Sequence, residues 1–390
     1  MSNISRNLSK FRREERASAD IENAFMFDVR RSIKASWTVT TYENGVKRVQ
    51  TGECRSFLKQ FASILQGFVS LTSALAAIPV KNTAGTTVAI GPAPAPGSSY
   101  AASLGISADA GFTSYRTLSW GGSTPKVYAG TDATAVKSSD YRVGAGTVIL
   151  ASIQPPSIVA DTASEFSFVA QGIVTSPAGM TINDVGLSMD VTYGGTTTPT
   201  FTPVLLVRDV LSTPLVLSAG GQATVSFTIR FLADPAACYT RNFGALLCNT
   251  LARSATRLGY NTTGATFPIV RGSNGPANAT RIRVGTGNTD RTITKWGLTG
   301  SLDTSAVPTT VNAEVSDAKV RWVTEAPFIA ASPVVIAEAG VQHSQMGDPS
   351  MAYGQGTNYT VMMVTAKLPA PLSLQTNDMI AVKFTHEIAV

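Results

Sequence analysis

Few residues in this sequence have the types and spacing that catalysis or metal binding requires. Its two histidines, His343 and His386, lie far apart, and neither belongs to a closely spaced metal-binding pair. Its three cysteines, Cys54, Cys238 and Cys248, are an odd number without a CxxC spacing, which disfavours both a zinc site and a disulfide framework. We therefore expect no metal, no cofactor and no disulfide.

Carboxylates that could form the acid and base of a glycoside hydrolase are scattered along the chain. They are Asp140, Asp184, Asp190, Asp209, Glu314 and Glu325. No spacing pairs two of them, so the sequence does not predict the carboxylate separation that such chemistry requires. Nucleophile-elbow, Walker and HExxH motifs are absent. The segment Gly285–Asn288 lacks the helix and lysine of a phosphate loop, which favours a β-turn. We expect no enzymatic activity.

The adjacent charged residues Arg208 and Asp209 interrupt an otherwise apolar stretch, VLLVRDVL. Charged side chains inside a strand need either hydrogen-bonding partners within the fold or a contact with another molecule. We favour the intramolecular pairing and keep both residues as candidates for partner binding.

The first fifty residues carry a concentration of positive charge. The basic residues there include Lys10, Arg12, Arg13, Arg16, Arg30, Arg31, Lys34, Lys47 and Arg48, and the first six are candidates for binding a partner. A basic arm can hold nucleic acid or a negatively charged protein surface. Acidic residues between Glu14 and Asp28 interrupt the run, so we favour a protein partner over nucleic acid.

The composition favours a component of an assembly. Charged residues make up 14% of the 390 residues, well below the roughly 25% of ordinary soluble proteins. A sparsely charged surface is more often covered by neighbouring molecules, so we expect a homo-oligomer.

The N-terminal sequence lacks the apolar core of a signal peptide. The uncharged stretch Gln60–Val80 is long enough to span a bilayer, but its polar residues and proline favour a buried helix, and we expect no membrane partner.

The sequence contains an internal repeat, which is an early indicator of architecture. Val204–Phe231 and Val361–Ile388 match at a constant offset of 157. The matched pairs include Val207 with Val364, Leu211 with Leu368, Pro214 with Pro371, Val225 with Val382 and Phe227 with Phe384. Each copy predicts a strand, a break at proline, a short strand, a turn and an alternating strand.

Other segments repeat in the same order. Gly130 matches Gly287 at the offset of 157, and Met180–Leu187 corresponds to Val335–Val341 at an offset of 154. The apolar helical patterns that begin at Arg55 and Arg241 also correspond. The sequence therefore predicts a mainly β protein with two tandem, internally duplicated antiparallel β-sandwich domains, each with one N-terminal packing helix, preceded by a basic N-terminal arm.

We place the arm at residues 1–36, the first domain at 37–234 with a long loop at 82–103, and the second domain at 235–390. Within the arm, Ile21, Phe25, Val29 and Ile33 recur at helical spacing. Trp37–Val49 predicts a hairpin with an Asn-Gly turn. The second domain lacks a copy of this hairpin, so we expect its first sheet to be either incomplete or completed by another segment.

These motifs resemble those of a family of tailed-bacteriophage virion structural proteins. The first copy carries Glu43-Asn44-Gly45, Arg55-Ser56-Phe57, Gly130-Thr131, Ser139-Asp140-Tyr141, Ile182–Leu187 and the start of an Arg-Asp-x-Leu-x-x-Pro segment at Arg208–Leu211. The second copy keeps Gly285-Thr286-Gly287 but has Thr365-Ala366 in place of the Arg-Asp pair. The resemblance covers nearly the whole chain after residue 36, and it rests on framework residues.

The resemblance implies a non-enzymatic structural protein of a bacteriophage particle. We expect a capsid decoration, collar or tail accessory protein that is assembled in the host cytoplasm and docks on other virion proteins through its arm. Two alternatives stay open at this point. One is the capsid shell protein itself, and the other is an adhesin that binds a host-surface receptor or glycan through the loops Tyr100–Tyr115 and Tyr193–Thr200.

Overall fold

The structure is a computed structural model, and it describes most of the chain beyond residue 25. The described ranges are 26–43, 45–54, 57–69, 78–90, 126–137, 139–144, 148–150, 152–193, 200–252, 258–260, 263–264, 266–268, 270–271, 280–304, 309–316, 319–347 and 359–389. Within them the protein is mainly β, with antiparallel sheets in a sandwich-like arrangement, as the sequence predicts.

The strands range in length from the two residues of β16 to the eighteen of β11. They are β1 Met26–Asp28, β2 Ile33–Glu43, β3 Val46–Glu53, β4 Ile78–Lys81, β5 Thr87–Ile90, β6 Lys126–Gly130, β7 Val148–Leu150, β8 Ser152–Asp161, β9 Glu165–Ser176, β10 Met180–Tyr193, β11 Thr200–Leu217, β12 Gly221–Leu232, β13 Ala237–Tyr239, β14 Leu258–Tyr260, β15 Thr266–Pro268, β16 Val270–Arg271, β17 Thr280–Gly285, β18 Leu302–Asp303, β19 Thr309–Val315, β20 Lys319–Ile329, β21 Val334–Gly347, β22 Tyr359–Leu374 and β23 Met379–Ala389. In the described chain the helices are α1 Val29–Ser32, α2 Lys59–Val69 and α3 Arg241–Ala252.

Two sheets built from the first part of the chain form what we term the first sheet pair. One has the order β3-β2-β12-β9-β8 and the other the order β11-β10-β6-β7. Alternating residues of β12, including Val225, Phe227 and Ile229, are buried while their neighbours are partly exposed. This period of two places the apolar side chains of each strand on one face, where they form the core.

Two further sheets form the second sheet pair. One has the order β1-β23-β20-β19, and the other has the order β13-β22-β21-β17-β18 with β16 also paired to β21. Strand β9 lies between β8 and β12 in the first sheet pair, and β20 lies between β19 and β23 in the second. The strand orders therefore correspond at this level, while the duplication itself stays a prediction from the sequence.

The prolines predicted to break the repeated segments lie in irregularities of two strand ladders. Between Ile182–Leu215 and Asp184–Val210, the register of β10 and β11 shifts, and Pro214 lies in the extra stretch of β11. Between Ile336–Leu372 and Glu338–Lys367, β21 and β22 shift in the same way around Pro371. Proline lacks an N–H for the ladder and is accommodated where the pairing is interrupted.

The end of the predicted arm belongs to the fold. Strand β1 pairs in parallel with β23, with Met26 opposite Thr385, and α1 then leads into β2, which begins at Ile33. The helical spacing from Ile21 to Ile33 therefore yields a helix only at Val29–Ser32 among the described residues. The second sheet pair is completed by this other segment, one of the two outcomes expected from its missing hairpin.

One predicted loop is wrong over part of its length. Residues 82–90 form the turn and second strand of the β4–β5 hairpin, whereas residues 91–103 lie outside the described ranges. The hairpin forms because the side-chain Oδ1 of Asn82 accepts hydrogen bonds from the backbone N–H groups of Ala84 and Thr86. An Asx turn of this kind gives a short loop a defined geometry.

Helix α3 joins the two sheet pairs into one hydrophobic core. Its residues Arg241–Asn249 are all buried. Phe243 stacks on Tyr239 with ring centroids 4.6 Å apart and meets Phe231 of β12 edge-on at 5.8 Å. At the start of the helix, Arg241 Nε and Nη2 donate to the two carboxylate oxygens of Asp161 at 2.6 and 2.5 Å.

The same core contains a buried histidine. The imidazole of His386 stacks on Trp322 at 4.9 Å, and Tyr239 Oη lies 3.2 Å from His386 Nδ1. Burial lowers the pKa of His386 to about 3, so the ring is neutral at pH 7.

No helix among the described residues is both long and apolar enough to cross a membrane.

We predict that His386 makes the protein acid-sensitive. Between pH 6.5 and about 3, the unfolded chain binds a proton that the folded chain excludes. The free energy of unfolding should therefore fall by about 1.4 kcal/mol per pH unit as the pH decreases through this window. Urea unfolding of the wild type and of His386→Ile, which introduces the residue type of Ile229 at the matched position of β12, measures the effect. Equal pH slopes in the two proteins would contradict it.

Candidate functional site

The buried charge of the first sheet pair converges on one arginine. Arg208 on β11 is 3% exposed. Its Nε donates to Asp184 Oδ2 at 2.9 Å, its Nη1 to Asp140 Oδ2 at 2.7 Å and its Nη2 to Asp132 Oδ2 at 3.2 Å. Asp184 lies on the neighbouring strand β10, while Asp132 and Asp140 lie in the segment after β6. We call these four residues the arginine cluster.

Backbone groups complete the hydrogen bonding of Asp184. The N–H of Asp132 donates to Oδ1 at 3.3 Å, and the N–H of Gly144 donates to Oδ2 at 2.9 Å. Gly130 makes room for this carboxylate, because a Cβ there would overlap Asp184 Oδ1. The segment 131–144 is thus tied to the sheet by both its backbone and its carboxylates.

Burial and ion pairing shift the pKa values of the arginine cluster in opposite directions, and the pKa of Asp184 is raised overall. Burial raises the pKa of Asp184, and the hydrogen bond and charge of Arg208 oppose that rise. Burial lowers the pKa of Arg208, but its bonds to Asp184 and Asp140 outweigh this effect and the pKa is raised overall. Side-chain and backbone hydrogen bonds from Thr134 lower the pKa of Asp132. The permanently charged guanidinium therefore neutralises carboxylates that would otherwise repel one another.

The neighbouring residue Asp209 has a separate partner. Its Oδ2 accepts a hydrogen bond of 2.7 Å from Trp37 Nε1 on β2, and its Oδ1 accepts one from the backbone N–H of Val210. Arg208 and Asp209 point to opposite faces of β11 because consecutive side chains of a strand alternate. Arg208 therefore acts within its own sheet, and Asp209 connects that sheet to the facing one.

The second sheet pair buries a carboxylate at the corresponding place of β21. Glu338 accepts hydrogen bonds from Arg291 Nη1, from Lys295 Nζ at 2.7 Å and from the backbone N–H of Thr299 at 2.5 Å. The side chains of Arg291 and Glu338 are fully buried. We call Glu338, Arg291 and Lys295 the glutamate cluster.

Glycines again make room for the carboxylate of the glutamate cluster. A Cβ on Gly287 would lie 2.7 Å from Glu338 Oε1, and one on Gly285 would lie 2.8 Å from it. These are the glycines of the Gly-Thr-Gly segment. The β-turn predicted at Gly285–Asn288 is wrong, because Gly285 ends β17 and residues 286–288 continue as irregular chain without a turn. The physical role of Gly285 and Gly287 is to let the chain pass next to a buried acid.

The two clusters differ in charge. The arginine cluster has three carboxylates and one guanidinium, whereas the glutamate cluster has one carboxylate with a guanidinium and an ammonium group. The position of Arg208 in the first ladder corresponds to Thr365 in the second, so both cations of the glutamate cluster come from the segment after β17 instead of from the sheet. Both arrangements attach a loop to a strand by buried ionic hydrogen bonds.

Each of the two loops also places an aromatic side chain against a hairpin glycine. A Cβ on Gly85 of the β4–β5 turn would lie 3.0 Å from the Tyr141 ring, and one on Gly264, between β14 and β15, would lie 3.2 Å from Trp296 Nε1. Both glycines have a φ of +86°. Lys81 and Arg142 lie over the Tyr141 ring at 5.5 Å, a distance at which cations are attracted to aromatic faces.

Several predicted binding residues lie outside the part of the chain that the structure describes. Lys10, Arg12, Arg13 and Arg16 precede residue 26, and Arg30 lies in α1 with no described side chain. Arg31 is exposed at the end of α1. The candidate receptor loop Tyr100–Tyr115 and residues 194–199 of the loop Tyr193–Thr200 are also outside the described ranges, while Tyr193 ends β10 and Thr200 begins β11.

The candidate carboxylates other than Asp190 divide into two groups. Asp140, Asp184 and Asp209 are parts of the hydrogen-bond networks around β11. Glu314 pairs with Lys319 and Glu325 with Lys383 on the second sheet pair. Asp190 lies on β10 with no described side chain, as His343 does on β21.

Cys54, Cys238 and Cys248 are free thiols, and no three His, Cys, Asp or Glu residues within the described ranges form a group that could hold a metal ion.

Sequence reasoning missed Asp132, Arg291, Lys295 and Glu338 as interacting residues. The repeat contains a usable signal for one of them, because the offset of 154 aligns Asp184 with Glu338. Two acids at equivalent positions of apolar strands, each near a glycine-rich segment, would have predicted a buried carboxylate. Arg291 and Lys295 lie in a polar segment whose contacts the sequence pattern does not indicate.

Comparisons with known proteins show no family for this chain. No protein-family model matches it, and no curated protein matches it. Among solved structures, the 2'-deoxycytidine 5'-triphosphate deaminase of Agrobacterium tumefaciens aligns with 11% identity over 68% of this chain and 84% of that chain, with a TM-score of 0.10. A TM-score this low does not indicate a shared fold, and the alignment supports no conclusion about activity.

We predict that Arg208→Met lowers the free energy of unfolding by about 3–5 kcal/mol, because it leaves Asp184 buried without its cation. Arg230→Met is the matched control. Arg230 lies on β12, half exposed and 3.9 Å from Glu165, and removing such a surface pair should cost less than about 1 kcal/mol. Urea unfolding of both variants and the wild type measures the difference. Similar losses in the two variants would show that the arginine cluster is not a stabilising anchor.

Proposed function

We propose that this protein is a non-enzymatic structural component of a bacteriophage particle, as a capsid decoration, collar or tail accessory protein. The observation that carries the proposal is that the buried charged clusters fasten loops to long strands. Each acid of the arginine cluster and of the glutamate cluster is engaged by an intramolecular cation or backbone donor. Such side chains contribute rigidity and specificity of packing, which a scaffold in an assembly needs.

Three further features support a place in a particle. The low content of charged residues suits a surface covered by neighbours, the sequence motifs resemble those of phage virion proteins, and helix α3 joins the sheet pairs into one core. The described end of the arm is bound to its own chain through β1. Docking on other virion proteins is therefore assigned to residues 1–25, which contain Lys10, Arg12, Arg13 and Arg16.

The proposal predicts that purified particles contain this protein at a defined copy number. Quantitative mass spectrometry of particles, combined with cryo-electron microscopy, measures that number and the position of the protein. Absence of the protein from particles would refute the proposal. Assembly of closed shells by the purified protein alone would instead identify it as the capsid shell protein.

A second candidate function is binding of a host-surface receptor or glycan. The specific observation in its favour is the pair of anchored aromatic residues. Trp296 is 38% exposed in the loop held by Glu338, and Tyr141 lies beside Lys81 and Arg142. Aromatic and arginine side chains held rigidly at a surface are frequent centres of binding energy.

If this second function is correct, a Tyr141→Ala/Trp296→Ala variant should lower the adsorption of particles to host cells by roughly tenfold, the effect of losing about 1.4 kcal/mol of binding energy. Met379→Ala is the control, because Met379 is an exposed apolar residue on β23 and belongs to neither loop. Particle yield should be unchanged in both variants. Normal adsorption by the double variant, with a negative glycan array, would exclude the adhesin function.

A further inference from the structure

Strand β3 is an open edge of the first sheet pair. It lies at one end of the order β3-β2-β12-β9-β8, and no other described strand pairs with its outer side. It runs for eight residues without a proline, and its pairing with β2 shows no shift in register. The opposite edge, β8, contains Pro155 and Pro156 and two register shifts, devices that prevent a strand from accepting a partner.

The backbone groups that point away from β2 can be identified from the hairpin. The N–H of Cys54 donates to the carbonyl of Ala35 at 2.9 Å, and Glu43 pairs with Val46 next to the two-residue turn. Even-numbered residues therefore bond to β2, since hydrogen-bonded pairs alternate along an antiparallel ladder. The odd-numbered residues Lys47, Val49, Thr51 and Glu53 direct their N–H and C=O groups outward.

These outward-facing residues are self-complementary. If a second copy of β3 is placed antiparallel around a two-fold axis at Gln50, Lys47 lies opposite Glu53 of the second copy, and Val49 lies opposite Thr51. Lys47 and Glu53 are exposed, and each would gain a cross-strand partner of opposite charge, twice in a symmetric pair. All four pairs are of the hydrogen-bonded kind in this register.

The side chains around the edge suit a covered surface. Val49 is 50% exposed, and its neighbours across the outer face are Thr40 on β2 and Thr224 on β12. The corresponding outer face of the second sheet pair has ion pairs between neighbouring strands, such as Arg321 with Glu387 and Lys383 with Glu325. The first sheet pair has such a contact too, between Arg230 on β12 and Glu165 on β9, whereas the patch of Val49, Thr40 and Thr224 beside the β3 edge is uncharged.

We propose that β3 pairs antiparallel with β3 of a second copy of this chain around a two-fold axis at Gln50, so that two five-stranded sheets join into one of ten strands. An isologous contact of this kind closes on itself and yields a dimer. The inference deepens the proposed function, on which it rests for its role in a particle, by naming the surface through which copies associate.

Exchanging the charges of Lys47 and Glu53 tests the proposed pairing register of the two β3 strands. Lys47→Glu and Glu53→Lys should each weaken the dimer by roughly tenfold or more, because each creates two like-charge contacts. The double variant Lys47→Glu/Glu53→Lys should restore wild-type association. Sedimentation equilibrium of the full chain measures the dissociation constant. Thermal unfolding of each variant verifies that the monomer is intact. A wild-type monomer at all accessible concentrations, or a dimer that does not respond to these changes, would overturn the proposal.

Disulfide trapping provides a second readout. Gln50 would face Gln50 of the second copy as a non-hydrogen-bonded pair, whose Cα atoms lie about 4.5 Å apart, within the range that a disulfide spans. In a Cys54→Ser background, Gln50→Cys should form an intermolecular disulfide under mild oxidation. Val159→Cys, at an exposed position on the opposite edge, should not. Equal crosslinking at both positions would contradict the proposed axis.

The outcomes separate this inference from the proposed function. A protein that is monomeric in solution but present at a fixed copy number in particles would overturn the β3 pairing alone. A specific β3 dimer that is absent from particles would overturn the virion function alone.

Discussion

A carboxylate buried in the middle of a long strand is the constraint on which much of this structure depends. Asp184 on β10 and Glu338 on β21 occupy corresponding places, and each is inaccessible to solvent. A buried carboxylate without donors would be strongly destabilising. Loops therefore have to supply backbone N–H groups and cations, and the glycines beside each acid have to remain without side chains. The conformations of the segments after β6 and β17 therefore depend on the buried carboxylates of Asp184 and Glu338.

Strands such as β12 and β23 were predictable because their residues alternate, and the repeated turns were predictable from glycine and from Asn377, which adopts a φ of 68°. The helices at Lys59 and Arg241 were predictable from their apolar spacing. Strand β1 was not, because three residues are too few to show a period and its partner lies at the far end of the described chain. The sequence after Lys81 resembles a loop, but hydrogen bonds to the side chain of Asn82 stabilise the β4–β5 hairpin there.

The candidate site was less predictable than the fold. The pair Arg208-Asp209 was conspicuous in an apolar strand, and an intramolecular role was favoured for it. Its partners are Asp132, Asp140, Asp184 and Trp37, which lie in three separate parts of the chain and meet only after two sheets have formed. Arg291 and Lys295 of the glutamate cluster were not predictable for the same reason, since nothing in their own segment indicates a contact with Glu338.

The parallel pairing of β1 with β23 has a consequence for the order of folding during synthesis. Met26 is made near the beginning of the described chain, and its partner Thr385 near the end. At about 5–20 residues per second, a ribosome needs roughly 20–70 s to traverse the sequence between them. During that time the edge of the sheet that contains β23 does not exist, whereas β2 can already pair with β3. The pairing of β1 therefore cannot form until β23 has been made, so the contact between these two strands is completed late in synthesis.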